Sequence, residues 1–280
     1  MTNVITPGSL NGFRDYLTGL ERSGGTVESY LRGVRAFAAW LDGAPVEASS
    51  AGEWKRQLVR QGYEPRTVNA MLAAVHSFFR FMGWRGLETR ALKIQRRMFR
   101  EDSRELTREE YQRLLAAAQC RGEERLALVM EAICSTGIRV SEVRYLTVEA
   151  ARQGRADISL KGKIRTILLP AKLCRKLLKY ARGKKITSGE IFLTRGGRSL
   201  GRKQIWAELK RLCRQAGVAP SKVFPHNLRH LFARCFYRVT RDIAKLADVL
   251  GHSSVDTTRI YLVSTGAEHA RMLDRLQLLL

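Results

Sequence analysis

The sequence predicts a mainly α protein with a small β-sheet: an N-terminal four-helix domain over 1–90, a linker over 91–103 and an α+β domain over 104–280. Three observations predict it. Apolar residues recur at i, i+3, i+4 and i+7 through most of the chain, the period of a helix that buries one face. That pattern yields clearly to strand-like runs at one place, ADISLKGKIRTILLP. A basic stretch with a weaker stripe, RALKIQRRMFREDSREL at 90–106, parts the two domains. At 280 residues the chain has length enough for two modest cores.

In the first domain, TVESYLRGVRAFAAWL sets Val27, Tyr30, Leu31, Val34, Phe37, Ala38 and Leu41 on one helical face, with Arg32 and Arg35 opposite. EPRTVNAMLAAVHSFFRFMGW repeats the pattern from Pro65, a good first-turn residue, through Val68, Leu72, Val75, Phe79 and Met82. Shorter helices at roughly 8–21 and 50–61 complete the four, and Gly24-Gly25, Gly43 to Pro45 and Gly62 supply the breaks. The second domain opens on Thr107-Arg-Glu-Glu110, a capping box that starts a helix through Leu115. Asp157–Leu160 and Arg165–Leu169 then read as a β-hairpin around a Lys-Gly-Lys turn, with a third short strand at Glu190–Thr194 before RGGRS. Helical patterns resume from about Arg202.

Charge narrows the function. Fifty Lys and Arg stand against 26 Asp and Glu, a net +24, divided as +7 up to Arg100 and +17 beyond it. Self-repulsion of that size costs stability and is tolerated where a polyanion neutralises it, which points to nucleic acid. Five cysteines without CxxC or paired spacing predict reduced thiols in a cytosolic protein. They form no zinc-finger set, the five histidines form no HExxH, and neither a metal nor a cofactor is expected. MTNVITPGSL lacks a signal-peptide pattern, and no apolar run approaches about 18 residues, so a soluble protein with no membrane partner is expected.

Four segments of the second domain carry residues suited to phosphate chemistry. In CSTGIRVSEV, Gly137 breaks a helix and Arg139 opens another, with Glu142 three residues on. An arginine beside helix-start amides favours an anion, although this segment by itself favours a surface Arg139–Glu142 pair. Lys161 and Lys163 lie at the hairpin turn, either as solvated lysines or as a mobile charge or proton donor. In FPHNLRHLFA, His226 and Arg229 share a helix face with His230 beside them; a histidine satisfied in the core is the plainer reading. LGHSSVDTTRIYL holds His252 and Tyr261, the latter either an aromatic anchor or a nucleophile.

In this order and spacing, with Arg229 and His252 23 positions apart and His252 and Tyr261 nine, the chain resembles the tyrosine recombinases, or phage integrase family, in particular its short Xer-like integrases. The resemblance spans almost the whole chain and is most specific over residues 135–261, in TGIRVSEV, HNLRH, LGHSS and the downstream tyrosine. It implies a SAM-like core-binding domain followed by a catalytic domain, with Tyr261 attacking a DNA phosphodiester to give a 3′-phosphotyrosine. Arg139, Arg229 and His252 would hold the phosphate, since fixed donors stabilise the added charge of a five-coordinate phosphorus. His226 is a plausible base for the phenol, and Lys161, with Lys163 as alternative, would protonate the departing 5′ oxygen. Glu142 is expected to orient its neighbours, and His230 to be mainly structural.

The family implies paired sites on double-stranded DNA, a dimer on each, and a tetramer that exchanges strands through a Holliday junction. It also implies a nucleoid-associated enzyme in the cytoplasm. Basic faces of the first domain would grip the far side of the duplex, so that the two domains form a clamp. After Tyr261, Met272, Leu273, Leu276, Leu279 and Leu280 form an apolar stripe, expected to lie on a protomer-exchange helix over 267–280 or to pack on its own domain. A type IB topoisomerase shares the chemistry and is the enzymatic alternative, and a catalytically idle DNA-binding relative is the other. The short chain and apolar tail favour the recombinase over the first, and the complete motif set disfavours the second.

Overall fold

The four amphipathic stripes of the first hundred residues fold as four helices, α1 (Pro7–Gly19), α2 (Gly24–Leu41), α3 (Ser50–Arg60) and α4 (Pro65–Met82). They come from a computed structural model that describes residues 3–94, 104–160, 163–252, 254–261 and 273–276. Thr6 and Ser9 cap α1 reciprocally, the Ser9 amide donating to Thr6 Oγ1 at 3.1 Å and the Thr6 amide to Ser9 Oγ at 3.0 Å. The apolar faces meet in a core of Phe13, Leu31, Phe37, Trp54, Leu72 and Phe78 among others, with Phe13 edge-on to Phe78 at 5.3 Å. Gly33 lets α2 close on α4, because a Cβ there would lie 2.9 Å from Ala74 Cβ. Gly24 and Gly25 do not break the chain as expected. They form the first turn of α2, whose N-cap is Ser23 accepting from Thr26.

After α4 the chain returns to the same unit. Asn69 exchanges hydrogen bonds with both backbone groups of Leu92, at 2.8 and 2.9 Å. Compact packing divides the chain into Met1–Arg96 and Arg97–Leu280.

The second unit begins with α5 (Arg108–Cys120), opened by the Thr107–Glu110 capping box in both directions. Its centre is α6 (Glu124–Thr136), where Leu126 to Met130, Ala132 and Ile133 are all buried, so it reads as apolar nearly all round. A 3₁₀ turn (Val140–Tyr145) and α7 (Val148–Gln153) lead to the antiparallel hairpin β1 (Arg155–Leu160) and β2 (Lys163–Leu168). Leu160 pairs with Lys163, so Lys163 belongs to the strand and the connection is two residues, not a Lys-Gly-Lys turn. The expected third strand is reduced to isolated bridges, Thr147 to Glu190 and Leu193 to Ser199. Its backbone bonds go instead to residues 146–148 and to its own following turn, as in Ile191 N to Leu146 O and Thr194 N to Arg198 O. Helices α8 (Ala171–Gly183), α9 (Arg202–Ala216), α10 (Pro225–Thr240), α11 (Ile243–Leu250) and α12 (Val255–Arg259) follow, with α10 packed on α6. All five cysteines are free, and no helix among the described residues is long and apolar enough to cross a membrane.

Gly137 ends α6 at φ +65°, and a Cβ there would meet Phe232 Cδ1 of α10 at 2.5 Å. Gly137→Ala therefore combines left-handed backbone strain with overpacking and should destabilise the second unit by about 3 kcal/mol. Urea unfolding checks this, and a loss below about 1 kcal/mol would mean that α10 gives way freely.

Candidate active site

The α6 stop and the 3₁₀ turn bring Arg139 to the surface of the second unit with its head half-open to solvent. Glu142, 2 % exposed, accepts from the Arg139 amide and from Arg139 NH1, both at 2.9 Å. The amide of Arg139 is thus already satisfied and is not the free anion donor that its place at a helix start suggested. Glu142 also accepts from Arg165 NH2 of β2 at 2.6 Å, so one buried carboxylate holds two arginines. Arg139 NH2 reaches the Gly251 carbonyl at 3.4 Å.

Pro225 starts α10 and carries His226, Arg229 and His230 in its first turns. Arg229 is 2 % exposed, donating through NH1 to the Gly137 carbonyl and through NH2 to the Leu250 carbonyl at 2.8 Å. The same NH2 donates to His252 Nε2 at 3.0 Å. A guanidinium cannot accept a hydrogen bond, so Nε2 is the acceptor, and Nδ1 carries the proton toward Thr258 Oγ1 at 2.9 Å. Tyr261, 2 % exposed, is ringed by imidazoles: His252 stacked at 5.7 Å, His230 edge-on at 4.5 Å and His226 at 6.1 Å. Its side chain also hydrogen-bonds Arg229.

Burial lowers the Arg229 guanidinium to about 10, with the Tyr261 hydrogen bond pulling it back, so it stays charged at neutral pH. Both His226 and His252 are pushed down to about 4. For His226 the cause is first the packing around its ring, then His230, Arg229, Arg202 and Arg139. For His252 it is burial, then Arg229, Arg139, Arg165 and His226. Both imidazoles are therefore neutral at pH 7, which leaves His226 able to take a proton.

The linkage has a definite sign. Unfolded histidines titrate near 6.5, so as pH falls the unfolded state binds protons before these two folded groups do. Their contribution to stability is full above pH 6.5 and declines as pH falls toward 4. The thermal midpoint should drop over that window, and His226→Gln with His252→Gln should flatten the upper part of the drop. An unchanged pH slope in the double variant would place the titration elsewhere.

Of the residues singled out in the sequence, Arg139, Glu142, His226, Arg229, His230, His252 and Tyr261 converge here. His230 lies against the Tyr261 ring, with Nδ1 3.8 Å from Glu105 Oε1. Lys161 and most of the 267–280 tail lie outside the described residues; within 273–276, Leu273 and Leu276 are more than half exposed. Two participants escaped the sequence reading. Arg165 is inward-facing on β2 in step with Ile167, and that alternation was its available signal. Thr258 is fully buried and accepts from His252 Nδ1 in the tautomer that Arg229 sets, and no local pattern announces it. Among the described residues, no group of three or more His, Cys, Asp or Glu converges as a metal site would.

Comparison with known proteins matches residues 104–268 to the phage integrase family and 10–86 to the phage integrase N-terminal SAM-like domain. The chain is 31 % identical over 268 residues to the tyrosine recombinase XerA of Thermococcus kodakarensis, covering 92 % of this chain and 91 % of that one. It is 30 % identical over 261 residues to the tyrosine recombinase XerD of Xanthomonas axonopodis pv. citri, covering 84 % and 86 %. Among solved structures, a lambda integrase tetramer bound to a Holliday junction superposes with a TM-score of 0.73 at 19 % identity, over 92 % of this chain and 78 % of that one.

Proposed function

The chain belongs to the phage integrase family, and from that premise we propose how it works on DNA. It is a tyrosine site-specific recombinase that cuts and rejoins duplex DNA through a 3′-phosphotyrosine intermediate. The observation that carries this reading is the convergence of Arg139, Arg229, His226 and His252 around Tyr261. The net +24 supplies attraction to phosphates.

In the cleavage step the Tyr261 oxygen bonds to phosphorus as the bond from phosphorus to the 5′ oxygen breaks. His226 takes the phenolic proton. Arg139 and Arg229 face the non-bridging oxygens, where a guanidinium fork best matches the charge of the five-coordinate state. His252 becomes a donor to that phosphate once Arg229 turns from its Nε2 and the ring proton passes from Nδ1 to Nε2, with the Thr258 hydroxyl then donating to Nδ1. The bond energy is kept in the phosphotyrosine, so a 5′ hydroxyl from a second strand reverses the step without a nucleotide cofactor.

Lys161 gives the 5′ oxygen its proton, with Lys163 as the alternative donor on the same hairpin. A 5′-bridging sulfur in place of that oxygen leaves without protonation. Lys161→Ala should therefore lose about 10²–10⁴-fold in cleavage of the ordinary duplex and little with the sulfur-substituted one. A loss that persists with sulfur would remove Lys161 from the acid role, and the same comparison on Lys163→Ala decides between the two.

Two protomers bind each site, and two sites pair as a tetramer that passes through a Holliday junction; the likeness to the lambda integrase tetramer supports that assembly. The apolar tail over 267–280 docks on the next protomer. The enzyme acts in the cytoplasm on nucleoid DNA. The test starts from the duplex sequence that this chain enriches from a randomised pool. Two labelled duplexes of that sequence should exchange strands in the presence of the full chain, while a chain ending at residue 266 should bind each duplex without exchange. Relaxation of supercoiled DNA without exchange would favour a topoisomerase, and binding without any covalent adduct would leave a DNA-binding module.

A further inference from the structure

Strand β2 carries a charged side chain on its buried face. Arg165 stands opposite Ile158 of β1 and on the same side as Ile167, both buried, so it points into the unit and is only 15 % exposed. Its partners belong to other elements. NH2 donates to Glu142 Oε2 at 2.6 Å and NH1 donates to the Leu250 carbonyl. Glu142 is the carboxylate that holds Arg139, and the Leu250 carbonyl also accepts from Arg229 at 2.8 Å. The next carbonyl, Gly251, accepts from Arg139. Gly251 lies at φ +63°, and a Cβ there would run into the Arg165 side chain. Only a glycine lets the guanidinium lie against this turn.

Arg165 therefore reaches both phosphate-binding arginines through one shared partner each, and it braces the turn that leads directly into His252. We propose that Arg165 is a positioning residue for strand cleavage, locking β2, Glu142 and the Leu250–His252 turn into one frame that sets Arg139 and His252 without touching the phosphate. A buried arginine at an inward strand position is costly unless its hydrogen bonds serve a purpose. Here the cost includes an Nε–H that is buried without a hydrogen-bond partner among the described residues.

The assignment rests on the recombinase reading above, and adduct formation by the wild-type chain tests that reading separately. The substrate is a nicked duplex of the sequence enriched by this chain, carrying at the scissile position either the ordinary phosphodiester or a methylphosphonate. A methylphosphonate lacks one charged oxygen, so it offsets the loss of a cation that neutralised that oxygen. It does not offset the loss of a residue that acts through others.

Arg165→Met should lower the single-turnover rate of adduct formation at saturating protein by about 10- to 100-fold. DNA affinity should stay within about threefold of wild type, which separates positioning from ground-state binding. The Arg139→Ala deficit should shrink on the methylphosphonate and the Arg165→Met deficit should not. Arg165→Lys, which keeps the charge but reaches one partner at a time, should fall between Met and wild type. Near-normal cleavage by folded Arg165→Met, or rescue by methylphosphonate equal to that of Arg139→Ala, overturns the assignment. If Arg165→Met shows no cooperative melt, Arg165→Lys decides by the same two readings. A wild-type chain that forms no adduct overturns the recombinase reading, and this assignment with it.

Discussion

Tyr261→Phe should abolish the covalent protein–DNA adduct while leaving DNA binding in place. Phenylalanine keeps the ring, so the stacking on His252 and the edge contact with His230 survive. What is lost is the oxygen that would bond to phosphorus and the hydrogen bond to Arg229. Removing a nucleophile costs on the order of 10⁶-fold, which places the adduct below detection. Losing one buried hydrogen bond costs about 1 kcal/mol, so the variant should remain folded. A denaturing gel of the nicked duplex reads the adduct and a native gel reads binding. An adduct that survives in Tyr261→Phe would mean that another side chain attacks.

Arg229→Lys is the second large effect, and it acts on both chemistry and stability. Besides its bond with Tyr261, the guanidinium donates at once to the Gly137 and Leu250 carbonyls and His252 Nε2. A lysine brings a point charge on a flexible stem and cannot meet all three from a site that is 2 % exposed. The Leu250 carbonyl keeps its bond from Arg165, so the Gly137 carbonyl or His252 Nε2 would go unpaired, at a cost of about 1–3 kcal/mol, which urea unfolding measures. Cleavage should fall by about 10²–10³-fold, as for removal of a fixed donor to a developing oxyanion. Wild-type cleavage with reduced stability would make Arg229 a structural arginine only. Reduced cleavage with normal stability would show that lysine meets the carbonyls but not the phosphate.

Tyr261 stood out in the sequence because Arg139, His226, Arg229 and His252 precede it in an order and spacing that resemble the tyrosine recombinases. The stability effect at Arg229 has no sequence counterpart, because nothing in HNLRH says that its guanidinium is sealed against two carbonyls. Arg139 is an intermediate case. Its pairing with Glu142 was a legible i,i+3 alternative to phosphate binding, and the fold shows that the pair exists and leaves the arginine head half-open. The pair does not shut the arginine off from an anion, because Glu142 orients it without burying it.

Secondary structure followed the same division. The periodic stripes of α2 and α4 set their buried faces in advance, with Val27, Leu31, Val34 and Phe37 on one and Val68, Leu72, Val75 and Phe79 on the other. Glycine and short apolar runs were less informative. Gly24-Gly25 entered a helix, since the first turn needs no amide partners within the helix and Ser23 supplied the cap. Glu190–Thr194 had strand-like residues but found no strand beside it, only single bridges.

By itself the sequence determined the helical class, the single hairpin, the partner class through +24, and the candidate set from Arg139 to Tyr261. These follow from local period, from composition and from motifs whose order and spacing resemble a known family, none of which needs long-range geometry. Only the tertiary structure decided that Arg165 joins the site, that Arg229 fixes the His252 tautomer and that three imidazoles enclose Tyr261. The physical reason is separation along the chain. Arg165 meets Leu250 across 85 positions and Arg139 meets Gly251 across 112, and side-chain period tells which face a residue takes but not which partner waits there.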